Sequence, residues 1–355
     1  MTAFNQYAAA LMESGSISTL GMPEDVWLQL RTLGIGASEA AECIGLSKWR
    51  CQSEWVEKKL GLISDTQSDN YRLSMKRKMG HIMEPVTAEL FAQATGLKVQ
   101  NFNYMQRHPQ HQWMLCNIDR RIVGLTENQQ QWLSALFGYE VSGPGIAELK
   151  NVEYAKEWGQ PDDVSVTGGL CTSGEVPEDY YLQVQHQLAV TGYTWAFLVV
   201  TINGWDVRWY PIQRCEDTIA DLIELEEIAW GYVQRREIPP VDLDHPTAVD
   251  LLKRRYPGTN GETVLLDAEL MPWHQVREDA KRKIAELQAV VKAADAQILE
   301  VAKDASVILL PDGTAYTRKV QTRKAFEVKD SSFVVLQHTN NPPKYAKAKD
   351  SQEAA

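Results

Sequence analysis

The chain has 355 residues, of which 44% are hydrophobic and 23% are charged, and its formal net charge is −11. This composition is typical of a globular protein of about two domains, and the acidic balance argues against a protein that coats nucleic acid through general positive charge. Five cysteines with no CxxC pair argue against a disulfide framework or a zinc site. Without a secretory signal or an apolar run of roughly 20 residues, we expect a cytoplasmic protein with no membrane contact.

The first elements in chain order are helices joined by short turns. Residues 34–39 predict a turn that leads into a helix, with Ser38 as its N-cap. A second helix is expected from about residue 53 to residue 60. A third is predicted over residues 80–96, with Pro85 in its first turn.

A β-rich block follows these helices. Four short runs bounded by Gly, Pro and polar residues predict strands over residues 113–119, 120–124, 138–141 and 146–151. Residues 125–137 are interpreted as an insertion that extends a hairpin between two of these strands.

The next elements complete an alternation of helices and strands. Residues 180–192 predict a helix and residues 196–202 a buried strand. Residues 205–212 are expected to pair with that strand through an Asn203-Gly204 turn, which is a strong hairpin signal. Residues 218–236 predict an amphipathic helix.

The composition changes after residue 238. Residues 239–273 are rich in Asp and Pro and indicate a linker. Residues 274–340 combine a helix with an a/d seam of about three heptads, which favours a helical hairpin or an oligomer contact, and a small β unit turning at Pro311-Asp-Gly313. Residues 341–355 are polar, and we expect a disordered tail.

Two acidic residues and a lysine point to a specific chemistry. Alternate side chains of a strand share a face, so Glu148 and Lys150 would face one way while Leu149 faces the core. Asp119, at the end of a neighbouring strand, can meet that face. Two carboxylates supply the hard oxygen ligands that suit Mg²⁺, which activates a bound water, and a lysine beside the metal can orient that water. Taken alone, the pattern is also typical of a solvated strand edge.

Further segments follow one another in a fixed order around these residues. They are Leu30-Arg31 with Gly36-Ala-Ser-Glu39, Gly80-His-Ile-Met-Glu84-Pro, Cys116-Asn-Ile-Asp119, Glu148-Leu-Lys150, and Val176-Pro177 leading to Tyr180-Tyr-Leu-Gln183-Val-Gln185. In this order they resemble the phage lambda-type exonucleases, also called YqaJ-like viral recombinases, of the PD-(D/E)xK nuclease superfamily. The resemblance covers roughly residues 25–235.

The resemblance implies a fold and a catalytic set. Residues 1–238 would form an α/β nuclease domain with a restriction-endonuclease-like core, in which helices flank a central mixed β-sheet. A helical and small-β C-terminal extension would follow this core. The implied catalytic residues are Glu84, Asp119, Glu148, Lys150 and Gln183.

The resemblance also implies ligands. Asp119, Glu148 and the backbone carbonyl of Leu149 would hold Mg²⁺, with Mn²⁺ as a substitute. The 5′-phosphate of a DNA end would be bound by Arg31, Ser38 and Lys156, since a guanidinium grips phosphate with a fork of donors. Two features depart from the family pattern: Ile118 stands where the superfamily name has a proline, and residues 125–137 lengthen the spacing between the two carboxylates.

The implied activity is 5′→3′ degradation of one strand of double-stranded DNA in phage-type recombination. It would leave a 3′ overhang for a single-strand annealing protein, and the enzyme would form a ring-shaped homo-oligomer, a trimer by the resemblance. Two alternatives stay open: a structure- or sequence-specific endonuclease on the same core, and a catalytically inert DNA-binding or assembly module. Most of the tryptophans are expected to be core or interface residues, and stacking on DNA ends or bases is an alternative for Trp49 and Trp55.

Overall fold

A computed structural model describes residues 2–63, 71–163, 168–172, 175–265 and 267–320, with the side chains of residues 71–74 excepted. The chain divides into two units, Met1–Leu252 and Lys253–Ala355. In chain order the α-helices are α1 (Ala3–Ser14), α2 (Glu24–Leu30), α3 (Ala40–Cys43), α4 (Gln52–Lys59), α5 (Tyr71–Thr95), α6 (Glu127–Phe137), α7 (Glu178–Thr191), α8 (Glu216–Arg235), α9 (Ala248–Arg255) and α10 (Met271–Ala302).

The strands in the described part of the chain form three sheets. They are β1 (Ser16–Ser18), β2 (Ile35–Gly36), β3 (Lys98–Asn101), β4 (Tyr104–Arg107), β5 (Met114–Cys116), β6 (Arg120–Val123), β7 (Gly145–Val152), β8 (Gly169–Leu170), β9 (Trp195–Ile202), β10 (Asp206–Gln213), β11 (Val307–Leu309) and β12 (Ala315–Thr317). The largest sheet has the order β3-β6-β7-β9-β10-β8, and smaller sheets have the orders β1-β4-β5-β2 and β11-β12.

The six-stranded sheet is the central layer of the first unit. β7 pairs in parallel with β9 and β10 in parallel with β8, while the β3–β6, β6–β7 and β9–β10 pairs are antiparallel. All eight residues of β9 are buried, as expected for a central strand that is covered on both faces. The predicted mixed sheet is therefore confirmed.

Helices cover both faces of this sheet. Val184 and Leu188 of α7 pack on the face that carries Leu198 and Val200 of β9. On the opposite face, α5 and α6 contribute apolar side chains that pack against Phe197 and neighbouring strand residues. Because successive residues of a strand point to opposite faces, one apolar strand serves both layers of the core. The predicted arrangement of helices around the sheet is confirmed.

The predicted strand over residues 113–119 is shorter and belongs to a different sheet. Only Met114–Cys116 forms β5, which pairs with β4 and β2 in the four-stranded sheet. Asp119 lies in the short connection between β5 and β6. The chain passes from one sheet to the other there, and this places Asp119 directly before a strand that pairs with β7.

Helix α5 begins earlier than the sequence indicated. The helix starts at Tyr71, so Pro85 is in its interior and not in its first turn. Proline has no backbone N–H, and the carbonyl four residues earlier, at His81, therefore lacks its usual helical donor. The prediction was wrong because proline at a first turn is the more common arrangement, whereas here the residues before it also form helix.

The predicted insertion and the strand after it are also corrected. Residues 127–137 form α6, which starts at a capping box between Thr126 and Gln129 and does not extend a hairpin. Gly138 caps the helix with a φ of 75°, a left-handed conformation that ends it. The predicted strand over residues 138–141 is a loop, in which the backbone N–H of Val141 donates to Ser134 Oγ at 2.9 Å.

The predicted hairpin between β9 and β10 is confirmed. Asp206 pairs with Ile202, so three residues form the loop. Asn203 and Gly204 both have positive φ, at 51° and 83°, which suits the right-handed twist of the strands.

The first unit extends past the boundary expected at residue 238. In the stretch interpreted as a linker, Ala248 and Leu251 of α9 are buried. His245 contacts the carbonyl of Ser47 at 2.6 Å, which ties this stretch to the N-terminal helices. Burial of apolar side chains, and not the Asp- and Pro-rich composition, therefore sets where the unit ends.

The second unit contains a long helix and a hairpin. α10 covers the predicted heptad seam, and β11 pairs with β12 around the Pro311-Asp-Gly313 turn. Seam residues Ile284 and Leu287 are more than half exposed, at 55% and 65%. The seam's role stays a prediction, and the predicted tail lies outside the described residues. Among the described helices, none has the length and apolar character that a membrane span requires.

Candidate active site

Strand β7 carries two polar side chains on one face. Glu148 is buried, and its Oε1 accepts a 2.8 Å hydrogen bond from Lys150 Nζ. Leu149 points to the opposite face, where it packs in the apolar cluster beneath α5 and α6. The alternation predicted for this strand is therefore confirmed, and it produces a buried ion pair.

Helix α7 binds the Glu148 carboxylate through the side-chain amides of two glutamines. Gln183 Nε2 donates to Glu148 Oε1, and Gln183 Oε1 accepts from Lys150 Nζ at 2.9 Å. Gln187, one helical turn later, donates from Nε2 to Glu148 Oε2 at 2.7 Å and to the carbonyl of Asn117 at 3.2 Å. Each oxygen of the Glu148 carboxylate therefore accepts a hydrogen bond from a glutamine side chain of α7.

Asp119 joins this group through the backbone of β7. Its Oδ2 accepts a 2.9 Å hydrogen bond from the N–H of Leu149. Burial raises the pKa of Asp119, and the nearby carboxylate of Glu148 raises it further, to about 8. A cation bound beside Asp119 and Glu148 would offset the negative charge that raises the pKa of Asp119.

Lys150 retains its charge in this setting. Burial lowers the pKa of its amine, but the carboxylates of Glu148 and Asp119 outweigh burial and leave the pKa above its ordinary value. Its Nζ also lies 4.7 Å from the centre of the Tyr180 ring, which stacks in turn on Trp158 at 5.7 Å. A protonated lysine beside two carboxylates can donate to water or to a phosphate oxygen.

Glu84 reaches the site from α5. Its Oε1 accepts a 2.6 Å hydrogen bond from Arg120 Nη1, which also donates to the carbonyl of Asp119 at 2.7 Å. The predicted catalytic glutamate is therefore close to the backbone of Asp119, with an arginine as its partner. Its side chain lines the same cavity as the other acidic residues.

A cavity of about 550 Å³ brings most of the predicted site residues together. Arg31 and Ser38 line it, and Arg31 Nη2 donates to Ser38 Oγ at 2.9 Å. Ser38 lies inside the 3-10 helix Ala37–Glu39, so its interpretation as an N-cap was wrong. The predicted residues in the cavity wall are Arg31, Ser38, Glu84, Asp119, Glu148, Leu149, Lys150 and Gln183.

Some predicted contacts lie elsewhere. Lys156 is exposed in the segment after β7 and is not part of the cavity wall. Trp55 is fully buried in a cluster with α8, so it has no face available for a DNA base, whereas Trp49 is 70% exposed. Trp55 is therefore a core residue, as expected for most of the tryptophans, and only Trp49 stays a candidate for stacking on DNA.

The sequence reasoning assigned no role to several residues in or next to the cavity. Gln187 follows Gln183 by one helical turn, a spacing that could have identified it. Arg77 and His81 precede Glu84 by seven and three residues on α5, and these two line the cavity. Arg120 carried no local signal, because its contact with Glu84 joins elements that are distant in the sequence.

The donor set fits a divalent metal that keeps part of its water shell. Among the described residues, no three His, Cys, Asp or Glu side chains form a complete metal cluster. Mg²⁺ commonly uses one or two carboxylates together with waters and substrate phosphate oxygens. Asp119 and Glu148 supply two such carboxylates, and burial together with the charge of Glu148, which raise the pKa of Asp119, favours a cation beside them.

Comparisons with known proteins cover much of the chain. The family model for the YqaJ-like viral recombinase domain matches residues 26–194. The uncharacterized protein YqaJ of Bacillus subtilis (strain 168) is 31% identical over 293 residues, which is 80% of each chain. The crystal structure of the alkaline exonuclease LHK-Exo from Laribacter hongkongensis is 15% identical, with a TM-score of 0.40, over 65% of this chain and 97% of that one. A structure of LHK-Exo with dAMP is 14% identical with the same coverage and TM-score. The family-model match contains Glu84, Asp119, Glu148, Lys150 and Gln183.

Proposed function

The chain belongs to the YqaJ-like viral recombinase family and is a nuclease of that family; from this premise we propose that it is a Mg²⁺-dependent exonuclease acting on the ends of double-stranded DNA. The proposed reaction hydrolyses one strand in the 5′→3′ direction. It releases 5′-phosphorylated nucleotides and leaves a 3′ overhang, which a single-strand annealing protein would take up in phage-type recombination.

The observation that carries this proposal is the convergence of Asp119, Glu148 and Lys150 in one cavity with Arg31 and Ser38. Asp119, Glu148 and Lys150 are residue types that can hold a metal and position a water for hydrolysis of a phosphodiester. Arg31 and Ser38 supply a guanidinium and a hydroxyl, which can donate hydrogen bonds to a terminal phosphate. A cavity with both groups supports a reaction close to a strand end.

The acidic pair is the proposed metal site. A divalent metal held by Asp119, Glu148 and the carbonyl of Leu149 would lower the pKa of a bound water and stabilise negative charge on the scissile phosphate. Gln183 and Gln187 keep the Glu148 carboxylate oriented by binding one oxygen each. This orientation reduces the reorganisation that binding would otherwise require.

Lys150 is the proposed residue for positioning the attacking water. Its ammonium group has three N–H donors, and the structure gives two of them to Glu148 and Gln183. The third can donate to the attacking water or to a phosphate oxygen. Because both carboxylates keep the pKa of Lys150 above its ordinary value, it acts as a cationic donor in the free enzyme.

Arg31 and Ser38 are the proposed binding site for the 5′-phosphate. Glu39, outside the cavity wall, lies 3.9 Å from the Arg31 guanidinium and accepts at 2.8 Å from Lys59, so its carboxylate is shared with a second cation. The guanidinium keeps donors for a phosphate beyond the one that binds Ser38. Lys156 stays a predicted further contact, and a ring-shaped trimer stays the predicted assembly.

Digestion of end-labelled linear duplex and covalently closed circular DNA, each with Mg²⁺ and with EDTA, tests the proposal. We expect Mg²⁺-dependent loss of the linear substrate alone, with label release that gives the polarity. Mn²⁺ should replace Mg²⁺. Cutting of the circle would make the protein an endonuclease, and no cutting of either substrate would refute a nuclease function.

A further inference from the structure

One stripe of α5 lines the cavity, and apart from Glu84 its residues do not belong to the catalytic set. Arg77, Gly80 and His81 follow each other at spacings of three and one, and Glu84 and Thr87 continue the stripe at intervals of three. Residues three, four and seven apart share a helix face, and all five line the cavity. The helix therefore presents a guanidinium, a position without a side chain, and an imidazole beside the acidic residues.

Gly80 has no structural reason to be glycine in the free protein. It lies inside α5 without a positive φ, so an alanine could adopt its backbone conformation. A Cβ built at Gly80 would meet no atom of the described residues within 4 Å, so none of these neighbours requires its absence. Glycine destabilises a helix interior relative to alanine, and a close approach of a ligand to the helix backbone is a physical reason to tolerate it.

Arg77 is a cation without an acidic partner among the described residues. Two other basic groups near the cavity have acidic partners: Arg120 binds Glu84 at 2.6 Å, and Lys76, next to Arg77 in sequence, binds Glu153 at 2.9 Å. An exposed guanidinium that lines an acidic cavity can accept an incoming anion without first losing a salt bridge. Phosphate is the anion whose geometry its fork of donors matches.

We propose that Arg77, Gly80 and His81 form a binding face for the sugar-phosphate backbone of a DNA strand. The strand lies against α5 at Gly80, where the missing side chain allows close contact, Arg77 holds a phosphate, and His81 donates a hydrogen bond to the same backbone. This inference rests on the proposed function and adds a contact that is independent of the 5′-terminal phosphate. It identifies the ligand by its repeating phosphodiester chemistry, not by its bases.

Gly80→Ala gives opposite predictions for folding and for binding. Thermal denaturation without metal should show a melting temperature about 2 °C above that of the wild type, because alanine is the better helix former. Binding of a fluorescein-labelled 5′-phosphorylated duplex in Ca²⁺, followed by anisotropy, should weaken about tenfold. If Gly80 served folding alone, the substitution would change the melting temperature and the DNA affinity in the same direction. An unchanged DNA affinity would overturn the inference.

Arg77→Ala provides a second test with a matched control. Plotted against the logarithm of salt concentration, the logarithm of the binding constant should lose about one unit of slope, as expected for one phosphate contact. Affinities for 5′-phosphorylated and 5′-hydroxyl duplexes should fall by the same factor. Lys78→Ala removes an exposed charge from the same helix but not from the cavity wall, and its slope should match that of the wild type.

The outcomes separate this inference from the proposed function. A wild-type protein that neither binds nor degrades DNA would refute both. If the wild type degrades linear DNA but Arg77→Ala leaves the salt slope unchanged, the exonuclease proposal stands and the backbone-binding face is refuted. A reduced slope in Lys78→Ala equal to that of Arg77→Ala would also refute the face, because the effect would then come from general charge.

Discussion

Gln187 donates a 2.7 Å hydrogen bond to Oε2 of Glu148, from one helical turn beyond the glutamine that binds Oε1. Gln187 is fully buried and carries no charge, so its amide orients the carboxylate without competing for its negative charge. Partners of this kind commonly set the direction of a metal-binding group and its affinity for metal. The central sheet and α7 therefore act together to present Glu148.

Replacing Gln187 with leucine should weaken the metal dependence of the enzyme. The variant keeps the volume of the side chain but leaves Glu148 Oε2 without its donor, so we expect the Mg²⁺ concentration for half-maximal cleavage to rise by 10- to 100-fold. Cleavage rates measured over a range of Mg²⁺ concentrations give this half-maximal value for each protein. Gln93→Leu changes an exposed glutamine of α5 and should keep the wild-type titration; an unchanged titration for Gln187→Leu would contradict the role.

Replacing Asp119 with asparagine should stabilise the metal-free protein while removing its response to metal. Since the pKa of Asp119 is raised to about 8 on folding, the folded state holds a proton that the unfolded state releases above its ordinary pKa. Wild-type stability should therefore fall as pH rises from about 4 to 8, and Asp119→Asn should lose this dependence.

Melting temperatures measured in EDTA across this pH range, and again with Mg²⁺ at neutral pH, test the Asp119 prediction. Mg²⁺ should raise the melting temperature of the wild type, because a ligand that binds only the folded state stabilises it, but not that of the variant. Equal stabilisation of both proteins by Mg²⁺ would show that Asp119 is not a metal ligand.

Replacing Arg31 with alanine should remove the preference for a phosphorylated end. The wild type is expected to degrade 5′-phosphorylated duplex faster than 5′-hydroxyl duplex, because the guanidinium binds the terminal phosphate. In Arg31→Ala the two rates should agree within about twofold, after a loss of about tenfold on the phosphorylated substrate. Arg235→Ala, at an exposed arginine of α8 paired with Glu237, should keep the preference. A retained preference in Arg31→Ala would place the phosphate elsewhere.

Replacing Gly145 with alanine should destabilise the central sheet. A Cβ at this position in β7 would lie 2.5 Å from ring atoms of Trp195 on the neighbouring strand β9, so the ring or the strand must shift. Overpacking of this kind costs about 1–3 kcal/mol of unfolding free energy, which denaturant unfolding can measure. Gly258→Ala meets no atom within 4 Å and should change the stability little. Similar stabilities for both variants would contradict the packing described for β7.

The sequence predicted the parts of the site that depend only on a pattern of a few neighbouring residues. The alternation along β7 placed Glu148 and Lys150 on one face, and the Asn203-Gly204 turn identified the hairpin beside it. Both features follow from a few consecutive residues. The order of motifs then supplied Asp119 and Gln183, whose approach to β7 no local pattern could establish.

Other features could not be predicted because they depend on contacts between distant segments. The pairing of Arg120 with Glu84 joins β6 to α5, and Gln187 faces Glu148 only because α7 packs on that side of the sheet. The interior position of Pro85 was missed because proline is usually found at helix starts. The strand predicted over residues 138–141 is absent because Val141, although apolar and buried, lies in a loop.

The central claim is that Lys150, beside Asp119 and Glu148, takes part in DNA hydrolysis, and Lys150→Ala tests it most directly. Cleavage of end-labelled linear duplex in Mg²⁺ should be measured under saturating DNA, with binding in Ca²⁺ measured in parallel. We predict a fall in kcat of roughly 10²- to 10⁴-fold, as for loss of a positioned proton-transfer or water-orienting group, with DNA affinity nearly retained. Cleavage by Lys150→Ala at the wild-type rate would contradict the account.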